Sequence, residues 1–96
     1  MIKEIINKLE NSDTPIAKAI VSNECGKTII IAFKKDMILK EHKTNTPAQL
    51  FVLQGEVIYT ENQQNKTLAM YDSTEISAEV LHSVKAIKDS ICILVK

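Results

Sequence analysis

The side chains best suited to chemistry in this 96-residue chain are its two histidines, His42 and His82. Imidazole changes charge near neutral pH without assistance, and it is a common metal ligand. Thr44 lies two residues beyond His42, so on a strand the two side chains share a face. One reading makes them an interior polar pair that contacts a ligand or a metal. The other makes His42 an interior histidine hydrogen-bonded to Thr44 or to backbone with no ligand at all, since buried polar groups are ordinarily satisfied within the protein. His82 has Val80 and Val84 as same-face neighbours. In such an apolar row a histidine is commonly a satisfied core group, and desolvation favours its neutral form.

Other reactive groups are sparse. Cys25 sits beside Gly26 in a turn, with nothing nearby that resembles an activated nucleophile. Cys92, between Ile91 and Ile93, reads as a small buried hydrophobe. Two isolated cysteines make neither a disulfide framework nor a metal spacing, so the expectation is a cytoplasmic protein with reduced thiols.

Bulk properties narrow the function classes. Lys and Arg total 12 and balance 12 Asp and Glu, so no net field favours nucleic acid or an anionic membrane. No basic block with interleaved aromatics suggests an RNA-binding sheet. No leader peptide and no membrane span are expected, because no apolar run is long enough. With 45% apolar and 25% charged residues, the chain reads as one ordinary globular domain over residues 1–96. At this size a homodimer would add useful buried surface.

The elements that must position the histidines follow from periodicity. Ile2, Ile5, Ile6 and Leu9 recur at helical spacing, so residues 1–12 are read as a short helix and lead-in. The run Asn11 to Pro15 breaks it. Over 16–96 short Ile- and Val-rich segments alternate with polar turns, predicting strands at 16–22, 27–33, 38–43, 49–53, 56–61, 67–70, 73–76, 82–87 and 91–96. Mainly antiparallel strands of this number make a sandwich or barrel. Ile29–Phe33 and Leu50–Leu53 are apolar at successive positions, which predicts cover on both faces, by the N-terminal helix or by a partner subunit.

The segments Leu39–Tyr59 and Leu68–Val84 resemble the two signature motifs of the cupin superfamily. The first motif runs from a glycine through a His-X-His pair and a glutamate to a second glycine. Its frame falls here on Asp36, His42, Thr44, Ala48 and Gly55. The second motif's glycine, proline, glycine, histidine and asparagine fall on Tyr71, Ser77, Glu79, His82 and Ala86. His42, Gly55 and His82 keep the family residue, and Leu53-Gln54-Gly55-Glu56-Val57 repeats the family's hairpin wording.

The resemblance implies an all-β fold, a small cupin-type β-barrel (double-stranded β-helix or jelly roll) with a short N-terminal helix. It also implies that His42 and His82 are the survivors of a metal-ligand set. Thr44 replaces the second histidine and Ala48 the glutamate. A methyl group has no lone pair to donate, and a neutral hydroxyl is a poor substitute for imidazole. Gln49 could enter the site only through a bulge. Glu79 and Tyr71 read as rim or turn residues, and Tyr59 as core or lining.

Two functions follow as expectations. One is a small-molecule-binding domain without a standard metal site and with no cofactor, whose ligand meets His42, Thr44 and His82. The alternative is a metal-dependent enzyme of dioxygenase or isomerase type, with a divalent metal held by His42 and His82. Between enzyme and binding domain the residues do not decide.

Overall fold

The computed structural model describes residues 1–96. The helix α1 spans Ile2–Leu9, with Glu4 in its first turn and Lys8 in its last, charges that complement the helix dipole. Ser12 ends the lead-in: its hydroxyl donates to the Thr14 carbonyl at 2.7 Å and accepts from the Thr14 amide at 3.2 Å. The Lys34 ammonium donates to the Glu10 carbonyl at 2.7 Å, tying the helix end to the β domain.

Nine strands follow: β1 Ile16–Asn23, β2 Gly26–Phe33, β3 Ile38–His42, β4 Ala48–Gln54, β5 Glu56–Glu61, β6 Gln64–Ala69, β7 Ser73–Ile76, β8 His82–Ala86 and β9 Ser90–Val95. They form a five-stranded sheet ordered β1-β2-β9-β4-β7 and a four-stranded sheet ordered β3-β8-β5-β6. Every pairing is antiparallel. The inner faces meet in one core that includes Phe33, Leu50, Val52, Val57, Leu68, Val84 and Cys92. This is the expected all-β, barrel-like architecture with its short helix.

Most strand ends fall within a residue or so of the sequence reading, and two differences bear on the site. Residues 62–66 fell between the strands expected at 56–61 and 67–70. Instead Asn62 and Gln63 alone make the reversal, with φ of 51° and 64°. Two consecutive left-handed residues are the signature of a tight type I′ hairpin, so β6 begins already at Gln64. Conversely β3 ends at His42, which leaves Thr44 in a loop rather than on His42's strand.

The doubly apolar segments have two explanations. Around Ile29–Phe33 the second cover is α1: Ile5 and Leu9 pack on Ile30 and Ala32, with Ile16, Ile20, Ile91 and Ile93 around them. Over Leu50–Leu53 the helix does not reach, and Phe51 and Leu53 stay exposed.

The two sheets join at Gly55, where β4 passes into β5 with φ of +88°. A Cβ there would run into the Asp89 carbonyl and the Ser90 hydroxyl. Ser90 closes the corner, accepting from the Glu56 amide at 3.0 Å and donating to the Lys88 carbonyl at 2.8 Å. The glycine is therefore required by both backbone angle and space.

Candidate functional site

A β-bulge brings the histidines together. In the β3–β8 ladder Leu39 pairs with Val84, but the next pair is His42 with His82, so β3 carries one extra residue. Without that residue Glu41 would oppose His82, because a one-residue slip exchanges the faces of a strand. With it, the two imidazoles meet at the barrel mouth, ring centroids 4.1 Å apart and Nε2 to Nε2 3.0 Å. His82 is 2% exposed, while His42 is half-buried.

The hydrogen-bond count of this pair is informative. His42 Nδ1 lies 2.8 Å from the Lys40 carbonyl, and His82 Nδ1 lies 3.1 Å from the Val80 carbonyl. A carbonyl only accepts, so each contact asks for a proton on Nδ1. The Nε2 contact asks for a third. Two neutral imidazoles carry two protons between them, so the neutral pair is one proton short of satisfying all three contacts. The buried ring favours its uncharged form: burial pushes the His82 pKa below its usual value and the His42 charge adds to this, against the opposing pull of the Val80 carbonyl and Glu61. His82, held neutral with its proton on Nδ1, is thus the acceptor in the Nε2 contact.

Thr44 does not join them. It is buried, but its hydroxyl donates to the Thr46 carbonyl at 2.8 Å, and its own carbonyl accepts from the Glu79 amide at 2.9 Å. His42 is therefore satisfied by backbone and by His82 rather than by Thr44. Ala48 is buried in the core. Gln49 pairs with Val95 and Glu75 on the outer face of the five-stranded sheet, and the β4 bulge falls beyond it, between Val52 and Gln54. No cluster of three or more His, Cys, Asp or Glu side chains could hold a metal ion. A catalytic metal centre ordinarily has three protein ligands, and two imidazoles with a spent hydroxyl do not fit one.

Beside His82 lies a polar cleft, and sequence reasoning missed most of its side chains. Tyr59 is buried and stacks near His82 at 5.9 Å between ring centroids. Its hydroxyl donates to Glu61 Oε1 at 2.8 Å, and burial first, then Glu61, raises the phenol pKa. Glu61 stands opposite His82 in the β5–β8 ladder. The Lys66 ammonium donates to the buried Thr74 hydroxyl at 3.1 Å. Tyr59, Glu61, Gln64, Asn65, Lys66, Thr74 and Glu75 line a cleft of about 130 Å³ at the mouth. The available signal was parity: on β5 the inward set Val57, Tyr59 continues to Glu61, and on β6 inward Leu68 continues to Lys66.

None of the five cavities on the molecule is lined by His42 or His82. The cleft behind which they sit is reached through Tyr59 and Glu61. Of the cysteines, Cys92 is buried as expected and burial pushes its thiol up to about 12, while Cys25 is exposed; both are free. No helix is long and apolar enough to cross a membrane.

Comparison with protein-family models and with curated proteins finds no match. Solved structures do match. A cupin superfamily protein from Desulfitobacterium hafniense DCB-2 superposes with a TM-score of 0.83 at 15% identity, covering 90% of this chain and 79% of the other. An uncharacterized conserved protein with a double-stranded β-helix domain, from Klebsiella pneumoniae, gives 0.81 at 14% identity over 95% and 84% of the two chains. A cupin 2 conserved barrel domain protein from Leptotrichia buccalis gives 0.81 at 22% identity, over 88% of this chain and 41% of that one. The chain has the cupin fold.

Proposed function

We propose that this cupin-fold chain is a metal-independent domain that binds a small polar molecule at the barrel mouth. The observation that carries the reading is the arrangement of opposite charges around one cleft. The Lys66 ammonium is held by the Thr74 hydroxyl and the Glu61 carboxylate by the Tyr59 hydroxyl, so each charge rests on a neutral group and faces the same space. An exposed Lys66 and a half-buried Glu61 on one cleft present charges of both signs, which suits a ligand that carries an acid and a hydrogen-bond donor. At about 130 Å³, the cleft suits a short hydroxy acid or amino acid. His42 and His82 back this cleft through Tyr59 and Glu61, and Thr44 supports the loop that follows β3. A cytoplasmic location agrees with two unpaired thiols.

The test is thermal unfolding against a panel of short hydroxy and amino acids, since a ligand that binds only the folded state raises its stability by mass action. At least one member is expected to raise Tm, with the rise lost in Lys66→Met and in Glu61→Gln and unchanged by a chelator. No rise with any member, or a rise indifferent to both substitutions, would remove the reading. Stoichiometric metal in tag-free protein, lost on replacing both histidines with glutamine, would favour the metal-dependent alternative instead.

A further inference from the structure

The inward rows of β2 and β9 continue past the core to the barrel mouth. On β2 the inward Ile29, Ile31 and Phe33 set a parity that puts Lys27 on the inner face, and on β9 Cys92 and Leu94 do the same for Lys96. The Lys27 amide donates to the Lys96 carbonyl at 2.8 Å, and the Lys96 amide to the Lys27 carbonyl at 2.9 Å. Residues that exchange both bonds stand directly opposite each other, about 5.5 Å apart at Cα, with their side chains on one face. Two ammonium groups therefore leave the ladder side by side, an arrangement that repulsion disfavours. Gly26 fixes the close approach: at a φ of +147°, a Cβ there would run into the Lys96 carbonyl.

A cavity of about 500 Å³ opens beside this pair, between the β1–β2 turn and the loop from β3 to β4. Glu24, exposed at the tip of the turn, is its one acidic side chain. Asn23 spends its Oδ1 on the Cys25 amide at 2.8 Å, which leaves its NH₂ as a donor. Asn45 and Thr46 add a second amide and a hydroxyl from the facing loop. Two fixed ammonium groups among neutral donors are the inventory that recognises an oxyanion. The Lys96 charge also reaches the histidine side of the mouth: burial first, then the His42 and Lys96 charges, lower the His82 pKa against the Val80 carbonyl and Glu61.

We infer that Lys27 and Lys96 hold a phosphate group at the rim of the barrel, that of a small phosphorylated metabolite or of orthophosphate itself. One dianion between the two ammonium groups replaces their repulsion with charge-assisted hydrogen bonds. The cavity is larger than a phosphate, so it has room for an organic remainder. It shares no lining residue with the cleft of Tyr59, Glu61 and Lys66, and the two readings stand or fall separately. Other lysines offer no such pair. Lys18, Lys66 and Lys85 stand opposite Ile30, Tyr59 and Ile58 in their ladders, and the Lys34 ammonium is spent on the Glu10 carbonyl.

The experiment is titration of the full chain with orthophosphate, glycerol phosphate and an aldose phosphate at low ionic strength, with chloride at matched ionic strength as control. Saturable amide shifts are expected at Gly26, Lys27 and Thr46 with phosphates and not with chloride, together with a rise in Tm by mass action. Lys27→Gln and Lys96→Gln are each expected to weaken binding on the order of 10-fold. Lys85→Gln, the same charge change on the outer face of the other sheet, is expected to leave it unchanged. In phosphate-free buffer Lys27→Gln is expected to raise Tm, because it removes the cross-strand repulsion; that rise also shows the variant to be folded. Tighter binding of an ester than of orthophosphate assigns the site to a phosphorylated metabolite, and equal affinity assigns it to phosphate alone. No saturable shift with any of the three, or binding indifferent to both substitutions (an adventitious ion only), overturns the inference. So does a Tm lowered by Lys27→Gln without phosphate, which would mean that Glu24 or a carboxylate at residue 96 already neutralises the pair.

Discussion

The two sheets share one core yet differ in what they do with the rest of their side chains. On β8 the inward His82, Val84 and Ala86 alternate with outward Ser83 and Lys85, the pattern of a strand with one wet face. On β9 the inward Ser90, Cys92 and Leu94 alternate with Ile91 and Ile93, so both faces are apolar. The four-stranded sheet supplies both histidines, Tyr59, Glu61 and Lys66 to the mouth; the five-stranded sheet contributes Thr74 there and an apolar back. Candidate chemistry and the exposed apolar face thus lie on opposite sides of the core. Changes to one should leave the other intact unless they alter how the sheets are joined.

Gly55 is that joint, and changing it is the most severe way to break the comparison. Gly55→Ala places a methyl against the Asp89 carbonyl and Ser90 at a φ of +88°. Left-handed backbone costs an L-residue about 1–2 kcal/mol, and overpacking adds about 1–3 kcal/mol, so a loss of roughly 3 kcal/mol is expected in urea unfolding. Because Ser90 and Glu56 anchor both sheets, mouth and back should fail together in a single transition. A loss below about 1 kcal/mol would mean that the sheets slide past each other at little cost, contrary to close packing.

Legibility in the sequence divides along the same line. The five-stranded sheet was readable because its signal is local: Ile29–Phe33 is apolar at every position, and continuous burial follows from that alone. The helix was readable from Ile5 and Leu9, although the spacing of Ile2 and Ile6 did not reveal that these would remain in water. The mouth was harder. That His42 faces His82 depends on one bulge residue between Leu39 and His42, and no local pattern marks it. Thr44 left the set for another reason: β3 ends at His42, so the rule that residues two apart on a strand share a face does not reach it. Glu61 and Lys66 were passed over because each sits beside a polar turn and resembles a solvated loop residue. Only their inward parity, fixed by Tyr59 and Leu68, brings them to the cleft.

The histidine pair offers a sharper and smaller test of the wet side. His82 is held below the usual imidazole value by burial first, with the His42 charge and Lys96 adding to it and the Val80 carbonyl and Glu61 opposing. In the unfolded chain it returns to about 6.5. Above that pH His82 is neutral in both states and the stability it contributes is fully present. As pH falls below it, the unfolded chain takes up a proton that the native state refuses, so this stability is lost progressively down to the lowered native value. Urea midpoints should therefore decline on acidification from neutral pH. Nitrogen chemical shifts should show His82 as the Nδ1–H tautomer, titrating below 6.5. A His82 that titrates above 6.5 would reverse the sign and place the shared proton on the buried ring.

The smallest effects lie at the edges of both sheets, in three turns that the family pattern marks as glycine. Asp36, Tyr71 and Glu79 occupy those places and have φ of 72°, 74° and 63°. Each donates its amide to a carbonyl from another part of the chain: Asp36 to Ala86 at 2.8 Å, Tyr71 to Val52 at 2.7 Å and Glu79 to Thr44 at 2.9 Å. The turns thus keep a left-handed geometry that the residue type does not favour, because each tether needs it. Replacement by glycine removes about 1–2 kcal/mol of backbone strain and gives back about 0.5–1 kcal/mol in unfolded-chain entropy. A net gain of up to about 1 kcal/mol is expected for Tyr71→Gly, whose ring is 80% exposed and gives up little packing. Glu79→Gly should behave alike, and Asp36→Gly should gain least, since aspartate tolerates this region better. If Tyr71→Gly instead destabilises the protein, the exposed ring is held by contacts that only a partner molecule could provide, and the turn between β6 and β7 would be a contact surface.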